Sequence, residues 1–144
     1  MLQLLRRRWV VACLYLIPAL ASAQSPAGRP CGAVRVAAAP VDTVVDAGTG
    51  AQSSLLHFVV HNGPQYPIPL RNARIDGEVR VSFTVDTTGH VVPGSAEVVA
   101  ESHAAFGQSV CDFLERARLA PIVLGGRRTT VRVINQPFRF QTQG

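Results

Sequence analysis

Residues 66–101 read YPIPLRNARIDGEVRVSFTVDTTGHVVPGSAEVVAE and decide the fold of this 144-residue chain. The centre of this stretch, residues 78–86, alternates strictly between polar residues and four apolar ones: Val79, Val81, Phe83 and Val85. Because successive side chains of a strand face opposite sides, this alternation predicts a half-buried strand with one apolar face and one wet face. The turn at residues 86–89 and the apolar run at residues 91–100 complete a predicted hairpin.

Two helices are predicted on either side of this hairpin. Residues 70–75 predict a short helix, and Ser102 is a suitable N-cap for a longer helix over about residues 104–118. The longer helix should cover the apolar face of the sheet, because it carries a single apolar stripe. The stripe consists of Phe106, Val110, Phe113, Leu114 and Ala117.

The last strand is predicted over residues 129–141. It contains two apolar pairs of opposite parity, Val131 with Val133 and Phe138 with Phe140. A strand cannot change its buried face without an extra residue, so we expect a bulge or bend near residues 135–137. The order of elements is therefore α-β-β-α-β. It predicts an α+β fold in which one main helix covers a small three-stranded antiparallel sheet.

The N-terminal segment has the three parts of a secretory signal peptide. Three arginines at residues 6–8 precede the apolar run 9–20, and the small residues 21–23 predict cleavage between Ala23 and Gln24. The alternative is a retained membrane anchor, although the apolar run is shorter than the ~20 residues that span a bilayer. Residues 24–62 then form a partly ordered N-terminal arm, and residues 63–144 form the folded domain. Within the arm, the apolar run 55–60 predicts either a buried strand or one helical turn.

The order of these motifs resembles the C-terminal domain of TonB-type energy transducers. The resemblance rests on Tyr66-Pro67, on the alternating strand with Asp86 and Gly89, on Arg118 and Pro121, and on the final Pro137-Phe138-x-Phe140. It covers about residues 66–141. It implies a non-enzymatic domain that contacts outer-membrane transporters in energy-coupled transport. The competing hypothesis is a periplasmic structural or assembly module that uses this fold without energy transduction.

The sequence gives no support for catalysis, cofactors, metal binding or nucleic-acid binding. The four histidines have no Cys or carboxylate at ligand spacing, and no nucleophile lies in a G-x-S-x-G turn. The formal net charge is +5, but after residue 23 eleven arginines face nine carboxylates. Because these arginines are scattered, they do not form the basic groove that nucleic acid requires.

A protein or peptide partner in the envelope is the predicted ligand, and the last strand is its predicted site. A small open sheet has edges with unpaired backbone groups, which can accept an extended peptide as an added strand. The TonB-like resemblance implies the same use of the last strand, with a peptide of an outer-membrane receptor as partner. The expected contact residues are Thr130, Val131, Arg132, Val133, Ile134 and Asn135. The sequence is also compatible with a homodimer.

A disulfide between Cys31 and Cys111 is predicted from the cysteines that remain after cleavage. Removal of the signal peptide removes Cys13, which leaves two thiols in an oxidising compartment. Cys111 lies on the flank of the apolar stripe, within reach of a segment placed alongside the helix. The alternative is that Cys111 is a small buried apolar residue and Cys31 is a free thiol.

Processing of the N-terminus gives the first prediction. We expect the mature chain to begin at Gln24 and to be found in the periplasm, with the inner-membrane-anchored form as the alternative. Mass spectrometry of fractionated cells measures this terminus directly. Recovery of an intact Met1 or Leu2 terminus in the inner-membrane fraction would contradict the prediction.

Overall fold

The computed structural model describes residues 28–32, 40–50, 53–59 and 62–142. The predicted signal peptide and its cleavage site at Ala23 and Gln24 lie outside the described residues. The two α-helices are α1 (Ile68–Asn72) and α2 (Ala104–Leu114). The strands are β1 (Arg29–Pro30), β2 (Thr43–Asp46), β3 (Gly77–Val85), β4 (Glu97–Glu101), β5 (Val123–Leu124), β6 (Arg127–Arg128) and β7 (Val131–Phe140).

The main sheet has five strands in the order β1-β4-β3-β7-β2, and β5 and β6 form a separate two-stranded ribbon. The strand β2 runs parallel to β7, whereas the other pairs of the main sheet are antiparallel. The predicted α+β class is confirmed, but the predicted number of three strands is wrong. The two additional strands come from the N-terminal arm, so the sheet extends beyond the predicted domain of residues 63–144.

The apolar face of β3 is buried under α2 as predicted. The four alternating apolar residues of β3 and all five residues of the apolar stripe have relative exposures of 6% or less and belong to one core cluster. The helix is shorter than predicted and has a different N-cap, because the His103 ring accepts the Ala105 N–H. Ser102 instead joins the helix to the sheet, since its hydroxyl accepts the Glu78 N–H.

The opposite face of β3 is not wet at its centre, which corrects the prediction from alternation. Ser82 and Thr84 are only 4% and 5% exposed. In the register of the sheet they lie opposite Glu97 of β4 and Arg132 of β7, and these two side chains form an ion pair that crosses over β3. Long side chains of neighbouring strands therefore cover this face, and none of the described helices or strands forms a second layer over it.

The predicted bulge is present in β7. Val81 pairs with Gln136 and Phe83 pairs with Val133, so β7 has one more residue than β3 between these pairs. Asn135 takes up the irregularity with a φ of 56°, a left-handed conformation that asparagine tolerates better than most residues. As a result the apolar residues on both sides of the bulge face the same core.

The remaining elements are shorter than the sequence pattern predicted. The second strand of the hairpin is restricted to β4, since residues 93–94 form a turn after an isolated bridge between Val85 and Val91. In the arm, Ser53–Leu55 forms a 3-10 turn, and Phe58 makes a single bridge to Leu119. The Phe58 ring lies between two core aromatics, with centroids 6.5 Å from Phe83 and 5.5 Å from Phe113.

Truncation of the central aromatic tests this core. The Phe83→Ala variant should lose about 3–5 kcal/mol of unfolding free energy, because it removes a fully buried ring and leaves a cavity. Chemical denaturation followed by circular dichroism measures the loss. The matched control is Val99→Ala, whose side chain is 45% exposed and should change stability by less than about 0.5 kcal/mol. A loss below about 1 kcal/mol for Phe83→Ala would show that the buried face is assigned wrongly.

Candidate functional site

The candidate site is the outer edge of β7, which is the side of this strand that faces away from β3. The sequence predicted that this edge is open over residues 130–135. The structure contradicts this, because β2 pairs with residues 131–134 in parallel register. The strand β7 therefore has a neighbour on both sides along its first half, before the bulge.

Backbone groups hold β2 along this edge and extend the pairing beyond both of its ends. The Asp42 N–H donates to the Thr130 carbonyl at 3.0 Å, and the Asp42 carboxylate accepts the Thr130 N–H at 2.9 Å. At the other end the Ala47 N–H donates to the Ile134 carbonyl at 3.0 Å. The pairing and these contacts place five of the predicted site residues, 130–134, against the arm rather than against solvent.

Two side chains of the arm enter the core next to β7. Val45 and Ala47 are 3% and 2% exposed, and both belong to the core cluster together with Val131 and Val133. Val44, which points to the other face, is 56% exposed. The arm therefore contributes apolar burial as well as a hydrogen-bonded strand.

The pairing of β2 with β7 ends at the bulge. The Asp46 carboxylate accepts the Gly48 N–H at 2.9 Å and lies 3.5 Å from the Asn135 amide nitrogen. A Cβ atom at Gly48 would lie 2.9 Å from the Asn135 Cβ, so only glycine permits this close approach without a shift. Asn135 thus follows the last residue of β7 that pairs with β2 and packs against the turn that follows β2.

Arg132 does not present a free charge at this site. One guanidinium nitrogen donates to the Ser95 carbonyl at 2.6 Å, and another is paired with Glu97. Its side chain is 24% exposed. Arg132 is a predicted contact residue, but this network also joins β7 to the chain segment before β4.

The disulfide joins Cys31 and Cys111, the pair that the sequence predicts, with a Cα–Cα distance of 5.1 Å. Cys111 is 1% exposed in α2, and the Cys31 N–H donates to the Ala96 carbonyl. The arm is attached again at Phe58 through its bridge to Leu119 and its aromatic contacts. The strand β2 therefore lies on a segment that is tied to the domain at both ends.

The second half of the outer edge, after the bulge, has no strand partner among the described residues. It contains Pro137, and a proline in a sheet keeps its nitrogen away from the ladder, so this position lacks a donor on the outer side. The Gln136 side chain also covers part of this half, because its amide donates to the Pro137 carbonyl at 3.0 Å. This half is consequently a poorer template for strand addition than residues 131–134.

The C-terminal end of β7 is fixed by Asp76. Its carboxylate accepts hydrogen bonds from the Thr142 N–H at 2.8 Å and from the Thr142 hydroxyl at 2.9 Å. These bonds hold the pKa of Asp76 below its ordinary value. Desolvation and the nearby Asp76 charge raise the pKa of Tyr66, whose hydroxyl donates to the Ile75 carbonyl. The Tyr66 ring packs edge-on against Phe140, as expected for a structural aromatic.

The residues of β2 are the part of the site that the sequence reasoning missed. Thr43, Val44 and Val45 are three consecutive β-branched residues between Asp42 and Asp46, which is a recognisable strand signal. The surrounding sequence is rich in Ala, Gly and Pro, which obscures this short strand signal.

Within the described ranges, no group of three or more His, Cys, Asp or Glu side chains is placed to hold a metal ion. In the same part of the chain, no helix has the length and apolarity needed to cross a membrane.

Comparison with known proteins gives one decisive match. Residues 62–142 match the family described as Gram-negative bacterial TonB protein C-terminal. The chain belongs to this family. Among solved structures, it is similar to the solution NMR structure of the Pseudomonas aeruginosa TonB C-terminal domain, with 19% identity and a TM-score of 0.48. That similarity covers 74% of this chain and 96% of the other. No curated protein matches the chain.

The hydrogen bonds to Asp76 predict a pH dependence of stability in this TonB-family domain. Because the pKa of Asp76 is lower in the folded than in the unfolded chain, its carboxylate stabilises the fold above the unfolded pKa of about 3.9. This contribution is lost as the pH falls through the folded pKa. The Asp76→Asn variant should therefore be less stable than the unchanged protein at pH 7, and the difference should shrink below about pH 4. Urea unfolding across this range measures it, and a difference independent of pH would contradict the assignment.

Proposed function

We propose that this protein is an exported TonB-family domain that binds an extended segment of a protein partner in the periplasm. The partner is an outer-membrane transporter, and binding serves energy-coupled transport. The family is one of non-catalytic interaction domains, and we propose no enzymatic activity. The predicted signal peptide supports the periplasmic location.

The observation that carries this proposal is the pairing of β2 with β7. Residues 42–47 of the arm are added to the edge of β7 by backbone hydrogen bonds, and the side chains of Val45 and Ala47 are buried in the core. Strand addition takes its affinity from main-chain hydrogen bonds and its specificity from pockets for alternate side chains. The first half of the outer edge supplies both features. A partner that uses this edge takes the place that β2 occupies in the structure.

The second candidate function is a periplasmic assembly module that does not transduce energy. The predicted cleavage of the signal peptide favours it, because a chain released from the inner membrane has no anchor there through which it could be energised. A retained anchor at residues 9–20 would favour energy coupling instead.

Site-specific photo-crosslinking in the source bacterium distinguishes the two functions. A photoreactive amino acid at Ile134, one of the β7 residues that pair with β2, should crosslink the full chain to an outer-membrane transporter. The same probe at Val123, which is 55% exposed on β5, is the control and should give no such product. Crosslinks from Ile134 to periplasmic assembly proteins, with none to a transporter, would contradict energy coupling and support the second candidate.

A further inference from the structure

We infer that β2 is a built-in occupant of the partner site, so that the outer edge of β7 is closed in the isolated protein. This inference rests on the proposed strand-addition function. It also deepens that function, because the contacts of the arm specify the segment that fits the edge. The occupant from the partner protein is an extended segment that runs parallel to β7.

The contacts of residues 42–47 indicate which side chains a partner segment needs at three of its positions. The positions are counted from the one that corresponds to Asp42. At the first position, the Asp42 carboxylate accepts the Thr130 N–H, so a side-chain acceptor is favoured there. At the fourth position, Val45 is 3% exposed and fills the core beside β7, so an apolar residue is required. At the sixth position, Ala47 is 2% exposed, so a small residue is required. The third position tolerates variation, because Val44 is largely exposed.

The strand β2 is the part of the main sheet best placed for exchange with such a segment. It contains four residues and, among the described strands, pairs only with β7, whereas β3 contains nine residues and pairs with both β4 and β7. Elements with few buried contacts open locally at a lower free energy than the core strands of the same domain. Opening β2 exposes the edge of residues 131–134 and leaves the pairing of β3 with β7 unchanged.

The tether at both ends keeps the edge closed without a partner. The disulfide at Cys31 and the Phe58 contacts hold β2 next to β7 through short chain segments. Short linkers of this kind give an effective concentration in the millimolar range. The arm of a second copy has the same sequence and cannot compete at micromolar concentration. A segment of a different protein with more favourable contacts is therefore the occupant that can replace β2.

The test uses a fluorescent peptide of residues 41–48, VDTVVDAG, titrated into the purified mature protein and followed by anisotropy. Binding to the unchanged protein should be weak, because β2 occupies the edge. The Val45→Asp variant cannot bury its side chain and should release β2, so its apparent affinity should rise about tenfold or more. Val123→Asp, the same substitution at an exposed position on β5, is the matched control and should bind like the unchanged protein.

A second variant keeps the test decisive if Val45→Asp fails to fold, which circular dichroism and thermal melting would show. Cys31→Ser cuts the tether at one end without altering any residue of β2 or β7. It lowers the effective concentration of the arm and should raise the apparent affinity for the peptide several-fold. A peptide with Asp in place of Val45 should bind none of these proteins.

Three outcomes would overturn the inference. The first is tight binding of the peptide to the unchanged protein, and the second is equal affinity in all folded variants. The third is a concentration-dependent dimer in sedimentation, which would make a second copy the occupant. The peptide titration tests the closed edge, and the Ile134 crosslink tests the transporter partner, so either result can be negative without the other. A closed edge that opens as described, without any transporter crosslink, would reject the proposed function and retain the inference.

Discussion

One extra residue in β7 determines both the core and the candidate site. Without the irregularity at Asn135, the two apolar pairs of this strand would face opposite sides of the sheet, and one pair would be exposed. With it, Val133 and Phe140 are both buried on the side covered by α2. The same irregularity ends the pairing with β2 and packs against the turn at Gly48. The bulge therefore divides the outer edge of β7 into two halves. The first half is occupied by β2, and the second half is a poorer template for strand addition because Pro137 lacks a backbone donor.

The parts of the fold with strong periodicity could be predicted from the sequence. The alternation in β3, the stripe of α2 and the parity conflict in β7 each express a local geometric rule. The structure has the predicted strand with its apolar face buried, the predicted helix stripe and the predicted bulge. The burial of Ser82 and Thr84 could not be predicted. It depends on the ion pair between Arg132 and Glu97, which are distant in sequence and meet only after the sheet has formed.

The candidate site was harder to predict than the fold. The sequence identified β7 as a strand that accepts an added strand, and it identified the two cysteines. It did not show that residues 43–46 would occupy the edge, because a four-residue strand has little periodicity and its partner lies almost ninety residues further along the chain. The predicted strand-addition site and the predicted disulfide are connected only in the folded structure, because the disulfide attaches the segment that contains β2 to the domain.

In this TonB-family domain, β2 pairs with the edge of β7 through the same backbone hydrogen bonding that strand addition uses. A backbone ladder alone would be weakly selective, and the burial of Val45 and Ala47 adds the side-chain requirement. The arm also protects the edge from unspecific pairing, which is a known hazard of exposed strands. In our proposal, the residues that protect the edge also specify the partner segment that fits it.

Amide hydrogen exchange of the oxidised and reduced protein, followed by NMR, tests the central claim that the tethered arm closes the edge. The decisive amide is that of Ala47, which donates to the Ile134 carbonyl. We predict that it is protected in the oxidised protein and that reduction of the Cys31–Cys111 bond lowers its protection about tenfold or more, while the β3–β7 ladder stays protected. An Ala47 amide that exchanges in the oxidised protein as fast as an unstructured one would contradict the account.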